Sequence, residues 1–348
     1  MSLAQQLSRL GELFGAGLPL SNRNHIIDGN KDQWTSTAAL ALAATTAYTS
    51  STMYRGQCGT AGAATYGQQL FALGTPGTLG MSRPVKYYGQ FVQTAASTGS
   101  LAALTGPQIS QRLESVTRAE NGFQTVSVWL WSAAPVTVTQ AFVTQNFGTG
   151  GSPSAAVTTL TPVVWNLTTI PQRFSVKLAV PSIAGMTLGT GGNDFVEVGV
   201  CYPVGATFTI NDAQWQVEWC SPGAGPQGLP TTFEYRGIPE ELQRVLRHYE
   251  VLTGGSYGSG VVGAVATAYI TIDYQPKRTA SPAFGGSALA TFYFFTPATS
   301  SAHPVGLSVF NIGVSSGMLA VTYSGMTPGQ GCMMFDAGGS FMTLDARL

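Results

Sequence analysis

The sequence predicts a mainly β protein built from antiparallel sandwiches. The clearest sign is a strict alternation of apolar and polar residues over 124–130, and similar alternation recurs over 136–143, 195–202 and 214–219. Glycine-rich turns separate these runs and no helical pattern lies between them, which favours antiparallel over parallel sheets. Charged residues make up only 9% of the chain, so Ser and Thr must supply the polar faces of the strands.

The first element is a short amphipathic helix over residues 2–14, ended by Gly15 and Gly17. We expect it to act as an anchor or oligomerisation segment, residues 1–21, because a helix of this length is not stable alone and its apolar stripe must pack on something. The rest of the chain, sister copies around an axis and a larger assembly all remain open as partners. The stripe consists of Leu3, Leu7, Leu10, Leu13 and Phe14.

The remaining chain divides into two β domains joined by a linker. Residues 22–222 are predicted as the first domain and residues 261–348 as a second, smaller β-sandwich. Between them, residues 223–260 form a Pro/Gly-rich linker with a helix over 239–252. Pro239 near the first position, two acids after it and basic residues towards the end are typical of a helix.

Charge and hydropathy exclude several classes of partner. The chain has 16 Lys and Arg against 16 Asp and Glu, so its formal net charge is zero, and a basic nucleic-acid-binding face is not expected. Apolar stretches are too short for membrane insertion, and the N-terminus lacks the pattern of a signal peptide. We therefore expect folding in a cytoplasm, with no nucleic-acid partner.

Metal and disulfide patterns are weak. Asp28, Asn30 and Asp32 imitate the start of a calcium loop, but the later Gly and acid positions are not matched, so a turn bonded to local backbone amides is expected. Cys201 and Cys220 flank an apparent hairpin, although four isolated cysteines are more typical of free, buried thiols. No metal and no cofactor are expected.

No catalytic motif is present, so the sequence predicts no enzyme activity. A pair of carboxylates for glycoside hydrolysis could come from Asp194, Glu197, Asp212 or Glu218. These acids fall in ordinary strands and turns, where solvated or hydrogen-bonded carboxylates are the usual finding.

Aromatic residues are the stronger signal for binding. Trp129 and Trp131 fall on the polar face of their strand, with Thr125 and Ser127, which suits stacking on a sugar ring beside neutral hydrogen-bonding groups. Two alternatives remain open: a neighbouring subunit or domain covers the indoles, or the two faces are reversed. The candidate glycan-binding set is Trp129, Trp131, Tyr87, Tyr88, Asn193 and Asp194.

The order of motifs resembles a group of tailed-phage structural proteins. This chain has counterparts of five motifs of that group. They are an opening Asn-rich motif, an internal Gln-Arg-apolar-Glu strand, a following Val-Ser strand, a closing strand that contains Gln and Glu, and a final helix motif. The departures are Asp28 in place of Asn and Val245-Leu246 in place of Cys-Gln. The matching stretches are residues 22–34, 111–114, 124–128, 208–218 and 233–250.

This resemblance implies a jelly roll similar to carbohydrate-binding modules, carried by a tail fibre, tail spike or head fibre. It implies a virion protein, assembled in the bacterial host cytoplasm as a homotrimer, that contacts other virion proteins through its N-terminal segment and a host-surface glycan through the jelly roll. A decoration or connector protein without a ligand is the alternative. A polysaccharide depolymerase is less favoured, because the regular rungs of a β-helix are missing.

Overall fold

The computed structural model describes residues 23–81, 85–118, 122–220, 230–279, 282–297, 299–336 and 340–348. The chain folds into two compact units, the first up to Ile238 together with Leu348, the second from Pro239 to Arg347. Both consist mainly of antiparallel strands, which confirms the predicted fold class. The predicted N-terminal helix and its apolar stripe lie outside the described residues.

The first unit contains short and long strands that are divided between two sheets. A one-turn helix, α1 (Thr75–Thr78), and a 3-10 helix at Val116–Arg118 interrupt them. The strands are β1 (Leu40–Leu42), β2 (Ala47–Tyr48), β3 (Tyr54–Gln57), β4 (Ala63–Leu70), β5 (Tyr87–Ala95), β6 (Gln108–Glu114), β7 (Gly122–Ser132), β8 (Val136–Asn146), β9 (Val157–Leu167), β10 (Gln172–Val180), β11 (Phe195–Cys201) and β12 (Phe208–Cys220).

These strands form a jelly-roll sandwich of two six-stranded sheets. The first sheet has the order β1-β4-β5-β12-β7-β10 and the second has the order β2-β3-β6-β11-β8-β9. Alternate side chains of β7, such as Val126 and Leu130, meet those of β11, such as Val196 and Val200, in a core that excludes water. The aliphatic face of residues 124–130 is therefore the inner one, as predicted.

A β-bulge in β12 changes which side chains point into the core. Across from β7, Gln214 and Trp215 together oppose Val128, and Gln214 takes a left-handed backbone conformation with φ of 45°. Before the bulge the even-numbered Asp212 faces inward, whereas after it the odd-numbered Trp215 and Val217 do. The extra residue thus lets both halves of one strand contribute to a single core.

The second unit contains a helix and two further antiparallel sheets. The elements are α2 (Ile238–Leu246), β13 (Tyr249–Thr253), β14 (Ser256–Ala264), β15 (Thr267–Asp273), β16 (Ala283–Gly286), β17 (Phe292–Thr296), β18 (Thr299–Ala302), β19 (Gly306–Ile312), β20 (Ser316–Thr322), β21 (Gly331–Asp336) and β22 (Phe341–Asp345). A 3-10 helix lies at Leu289–Thr291. The sheets have the orders β13-β22-β16 and β18-β17-β21-β14-β15-β20-β19, and they share a second apolar core.

The predicted helix over residues 239–252 is too long. The helix ends at Leu246, and residues 249–253 form strand β13, which pairs with β22. Tyr249, Val251 and Thr253 favour extended backbone, and pairing with β22 satisfies their backbone groups. Strand β14 likewise starts inside the predicted linker and joins the seven-stranded sheet.

Within the part of the chain that the structure describes, no helix combines the length and apolar character required to cross a membrane.

Candidate functional site

The outer face of the first sheet carries an aromatic cluster. Side chains that alternate with the inner aliphatic ones on β7 point away from the core, and Trp131 is the last large one before the strand ends. It packs in a cluster that is separate from the main core, with Trp129 and Tyr88 partly buried against it. The buried members of the cluster are Phe71, Met81, Val85, Trp131 and Ala213.

Three rings of this cluster touch one another. Ring centroids lie 4.7 Å apart for Phe71 and Tyr88, 4.9 Å for Tyr88 and Trp131, and 5.6 Å for Phe71 and Trp131, all in tilted orientations. Such tilted contacts are the arrangement that aromatic quadrupoles favour. Trp131 is only 8% exposed, so a ligand can reach only a small part of its indole, together with the more accessible Tyr88 ring.

Beside the rings lies a cleft of about 380 Å³, which we call the aromatic cleft. The segment after β4, the end of β7 and the turn before β10 form its walls. No lining residue within the described part of the chain carries a charge. The lining residues are Leu70, Phe71, Ala72, Thr75, Leu79, Tyr88, Trp131, Thr169, Ile170 and Pro171.

Backbone hydrogen bonds hold the walls in place. The amide of Phe71 donates to the carbonyl of Lys86 (3.0 Å), and the amide of Ser132 donates to the carbonyl of Thr168 (2.9 Å). Gly74, with φ of 82°, adopts the left-handed conformation that allows the chain to turn into α1. The rim side chains Leu70 and Ile170 remain 64% and 61% exposed.

The cleft can hold a neutral amphipathic group. Its surface is mostly apolar, and polar contacts are available from the hydroxyls of Thr75, Thr169 and Tyr88. Burial raises the pKa of the Tyr88 hydroxyl, so the phenol stays protonated and can donate a hydrogen bond at neutral pH. An anion or cation would find no opposite charge among these residues.

Only part of the predicted aromatic set meets here. Trp129 lies two residues before Trp131 on the same face of β7, partly buried, opposite Ala213 and Arg173. Tyr87 precedes Tyr88 on β5 and therefore points to the other side of the sheet, where the Lys86 ammonium lies 4.7 Å from its ring centre. The structure thus brings Trp131 and Tyr88 together, with Trp129 beside them.

Asn193 and Asp194 lie away from the cleft, against loops of the second sheet. The Asn193 side-chain oxygen accepts a hydrogen bond from the Thr149 amide (2.9 Å), and an Asp194 carboxylate oxygen accepts one from the Val116 amide (2.8 Å). The next residue begins β11, which pairs with β6 and β8. These two side chains therefore satisfy loop amides rather than join the aromatic residues.

Sequence reasoning missed Phe71 and Ile170, which complete the cleft. The available signal was an apolar pair, Leu70-Phe71, directly after the two polar residues Gln68 and Gln69 at the end of β4. Nothing in the local pattern indicates that this pair folds back over Trp131.

The widely spaced motifs of the first unit meet around residues 24–31. Asn24 donates to the carbonyl of Trp215 (2.9 Å) at the bulge of β12, and its own carbonyl accepts from Arg236 (2.5 Å). Gln111 donates to the carbonyl of Ile27 (2.8 Å) and accepts from its amide (2.7 Å). The motif residues therefore fasten the start of the jelly roll to β6, to β12 and to the segment that follows β12.

Asp28 belongs to the same segment and forms the predicted turn. Its carboxylate accepts hydrogen bonds from the amides of Asp32 (2.7 Å) and Gln33 (3.0 Å), which confirms local backbone bonding. Among the described residues, no group of three or more His, Cys, Asp or Glu side chains is arranged to hold a metal ion.

The four acids considered as a catalytic pair each have a different partner. Glu197 binds Arg55 (2.9 Å), Asp212 binds Lys31 (2.8 Å), Glu218 accepts from the Thr231 amide (3.0 Å), and Asp194 holds Val116. This confirms that these carboxylates are hydrogen-bonded.

Three cysteines, at positions 58, 201 and 332, are free and buried, whereas the Cys220 side chain lies outside the described part.

No protein-family model matches the chain, and no curated protein sequence is similar to it. Among solved structures, the CBM22-1 xylan-binding domain of Paenibacillus barcinonensis Xyn10C shares 9% identity at a TM-score of 0.31, covering 54% of this chain and 98% of that domain. The CBM22-1-CBM22-2 tandem domain of the same protein shares 10% identity at a TM-score of 0.31, covering 90% and 98%. A CBM4 structure shares 17% identity at a TM-score of 0.23, covering 45% and 87%. These neighbours are carbohydrate-binding modules, and what this chain shares with them is confined to the mainly β, jelly-roll type of fold.

Proposed function

We propose that this protein is a tailed-phage virion protein that assembles as a homotrimer and attaches the particle to a glycan on the host surface. The jelly-roll unit would bind the glycan in the aromatic cleft, and the N-terminal segment, residues 1–21, would contact other virion proteins. The observation that carries the proposal is the uncharged aromatic cleft formed by Phe71, Tyr88 and Trp131. The motif order of the first unit supports the phage assignment.

A sugar fits the chemistry of this cleft. A sugar ring presents apolar C–H faces and neutral hydroxyl groups, which match an aromatic wall and the hydroxyls of Thr75, Thr169 and Tyr88. The volume of about 380 Å³ lies within the range of small-molecule sites. No function in this proposal requires catalysis.

Rim variants test the proposal without disturbing the fold. Leu70→Ser and Ile170→Ser change side chains that are mostly exposed, and Val164→Ser, at 76% exposure and outside the cleft, is the matched control. On a glycan array or on host cells, we expect each rim variant to weaken binding by about tenfold, which corresponds to about 1.4 kcal/mol. The control should bind like the unaltered protein.

Trp131→Ala and Trp129→Ala give the second arm of the experiment. Trp131→Ala should abolish the signal, and Trp129→Ala, which packs beside the cluster without lining the cleft, should weaken it, while circular dichroism shows that the fold is retained. Unaltered binding in both tryptophan variants and both rim variants would remove the aromatic cleft as the site.

A second candidate, a connector or decoration protein without a ligand, is favoured by the second unit. The outward side of its seven-stranded sheet exposes large apolar side chains, which we call the apolar sheet face. Its members are Val261, Phe295, Phe310 and Met333, all at least 39% exposed. The Tyr269 ring packs against that of Phe310, with 4.6 Å between the ring centroids. Such a patch is typical of a protein interface.

We expect sister copies to cover the apolar sheet face in the trimer, because an uncharged surface can meet itself around an axis without repulsion. Phe310→Ser should then shift the particle mass measured by light scattering from trimer to monomer, while Val164→Ser stays trimeric. A trimer that binds no glycan or cell, yet co-purifies with capsid or tail through residues 1–25, would favour the connector.

A further inference from the structure

Lys31 and Asp212 form an ion pair in the interior of the first unit. The Lys31 Nζ lies 2.8 Å from Asp212 Oδ2, and neither side chain has any exposure to solvent. Isolating two charges from water is costly, and an apolar pair of similar size would often be at least as stable. In a chain with so few charges, this pair calls for a reason beyond stability.

The surroundings hold the two groups at bonding distance. The Tyr66 hydroxyl donates to Asp212 Oδ1 (2.9 Å) and also contacts the Lys31 amine. The Trp215 indole N–H donates to Asp212 Oδ2 (2.5 Å), and the Lys31 Nζ lies 3.5 Å above the Tyr54 ring. The aromatic walls exclude water, and the bulge of β12 sets the position of both Asp212 and Trp215.

Burial opposes the positive charge of Lys31 in this pocket. Burial lowers the pKa of Lys31, while Asp212 first and Asp28 second act to raise it. Burial also raises the pKa of Tyr66 well above its usual value, so its hydroxyl stays protonated. Transfer of one proton from the ammonium to the carboxylate converts the ion pair into a neutral amine and a neutral acid, which a dry pocket favours.

We propose that Lys31 and Asp212 condense into an intramolecular isopeptide bond. The neutral Lys31 Nζ attacks Asp212 Cγ, so that the Nζ–Cγ bond forms and the Cγ–Oδ2 bond breaks. Oδ2 leaves as water, with the acid proton and one proton of the amine. The Tyr66 hydroxyl, in contact with the amine and Oδ1, relays a proton, and the Trp215 N–H stabilises the leaving oxygen. No oxidant or cofactor is required, and the bond would close the covalent loop between residues 31 and 212.

The intact mass of the full-length chain tests this directly. After denaturation, and allowing for loss of Met1, we expect the sequence mass reduced by one water molecule. Trypsin should then leave Lys31 uncut and release a branched peptide that joins residues 24–55 to residues 178–236. A mass equal to the full sequence mass, with residues 24–31 released as a separate peptide, would overturn the proposal.

Mild alkali and one variant control for other sources of water loss, and a second variant tests the proton relay. Asp28-Gly29 can cyclise to a succinimide, which also loses water, but mild alkali reopens that ring and leaves an amide intact. Lys31→Arg keeps the positive charge and removes the amine nucleophile, so it should show the full mass and no branched peptide. Tyr66→Phe should lower the linked fraction at a given time after synthesis. Complete linkage in Tyr66→Phe would overturn the relay role of Tyr66. This inference does not depend on the proposed function.

Discussion

Replacement of Glu197 by Gln should destabilise the first unit strongly. Glu197 lies on the outer face of the second sheet, where its carboxylate accepts hydrogen bonds from Arg55 Nη1 (2.9 Å), Ser110 Oγ (2.6 Å) and Arg112 Nε (3.1 Å). The side chains of Arg55 and Glu197 are 11% and 9% exposed, and that of Arg112 is 22% exposed. One carboxylate therefore pairs with two neighbouring guanidinium groups.

The magnitude follows from what the substitution leaves behind. Glutamine preserves the shape of the side chain but removes its charge, so Arg55 and Arg112 then repel each other in a mostly buried position. Removal of one partner from a buried ion pair costs about 3–5 kcal/mol. Since Arg112 still reaches water, we expect a loss in the free energy of unfolding near the lower limit, about 3 kcal/mol.

Tryptophan fluorescence during urea unfolding measures this loss in the first unit alone. All six tryptophans lie before residue 238, the boundary between the two units. Glu114→Gln, on the adjacent strand β6 and only half-buried, is the matched control and should cost less than about 1 kcal/mol. If Glu197→Gln costs no more than this control, the assignment of a structural role to the cluster is refuted.

Three further outcomes are expected. Leu130→Ala, at a fully buried position of β7, should lower the free energy of unfolding by about 2–5 kcal/mol, whereas Leu73→Ala, at a fully exposed position, should change it by less than about 0.5 kcal/mol; similar losses in both would contradict the assigned core. Gly199→Ala places a Cβ 2.6 Å from the Phe142 ring and 2.7 Å from the Ile109 carbonyl, so we expect a loss of about 1–3 kcal/mol, while Gly77→Ala meets nothing within 4 Å and should be neutral in thermal melts. Burial raises the pKa of Cys201 from 9.0 to about 12. Because the thiol of the unfolded chain ionises first, the contribution of Cys201 to stability is complete below about pH 9 and is lost as the pH rises towards 12. In a Cys220→Ser background, a thiol reagent at pH 8 should label no cysteine before unfolding.

Strand faces could be predicted from sequence because the side-chain period of a strand is two. This placed Val126, Val128 and Leu130 inward and Trp131 outward, as the structure has them. The cleft around Trp131 could not be predicted, because Phe71 comes from a segment that folds over the sheet through long-range packing. The end of α2 was missed for a similar reason, since pairing of β13 with β22 decides it.

The motif residues could be recognised in the sequence, but the place where they meet could not. Asn24, Gln111 and Arg236 were recognisable as a pattern, but their spacing gives no sign that they converge on one backbone segment. Their contacts assign them to folding of the jelly roll rather than to ligand recognition. The residues that shape the cleft, by contrast, lie mostly outside the recognised motifs.

The bulge in β12 determines which changes in the length of that strand the core can accept. Its two halves use opposite residue parity to fill one core, since Ile210 and Asp212 precede the extra residue and Trp215 and Val217 follow it. Loss of Gln214 would remove the bulge and leave Asp212 and Trp215 on the same inward-facing side, whereas loss of one residue elsewhere in β12 would turn one half towards solvent. Homologous chains that keep this jelly roll should therefore vary in length in the loops between strands, and within β12 by a single residue only at the bulge.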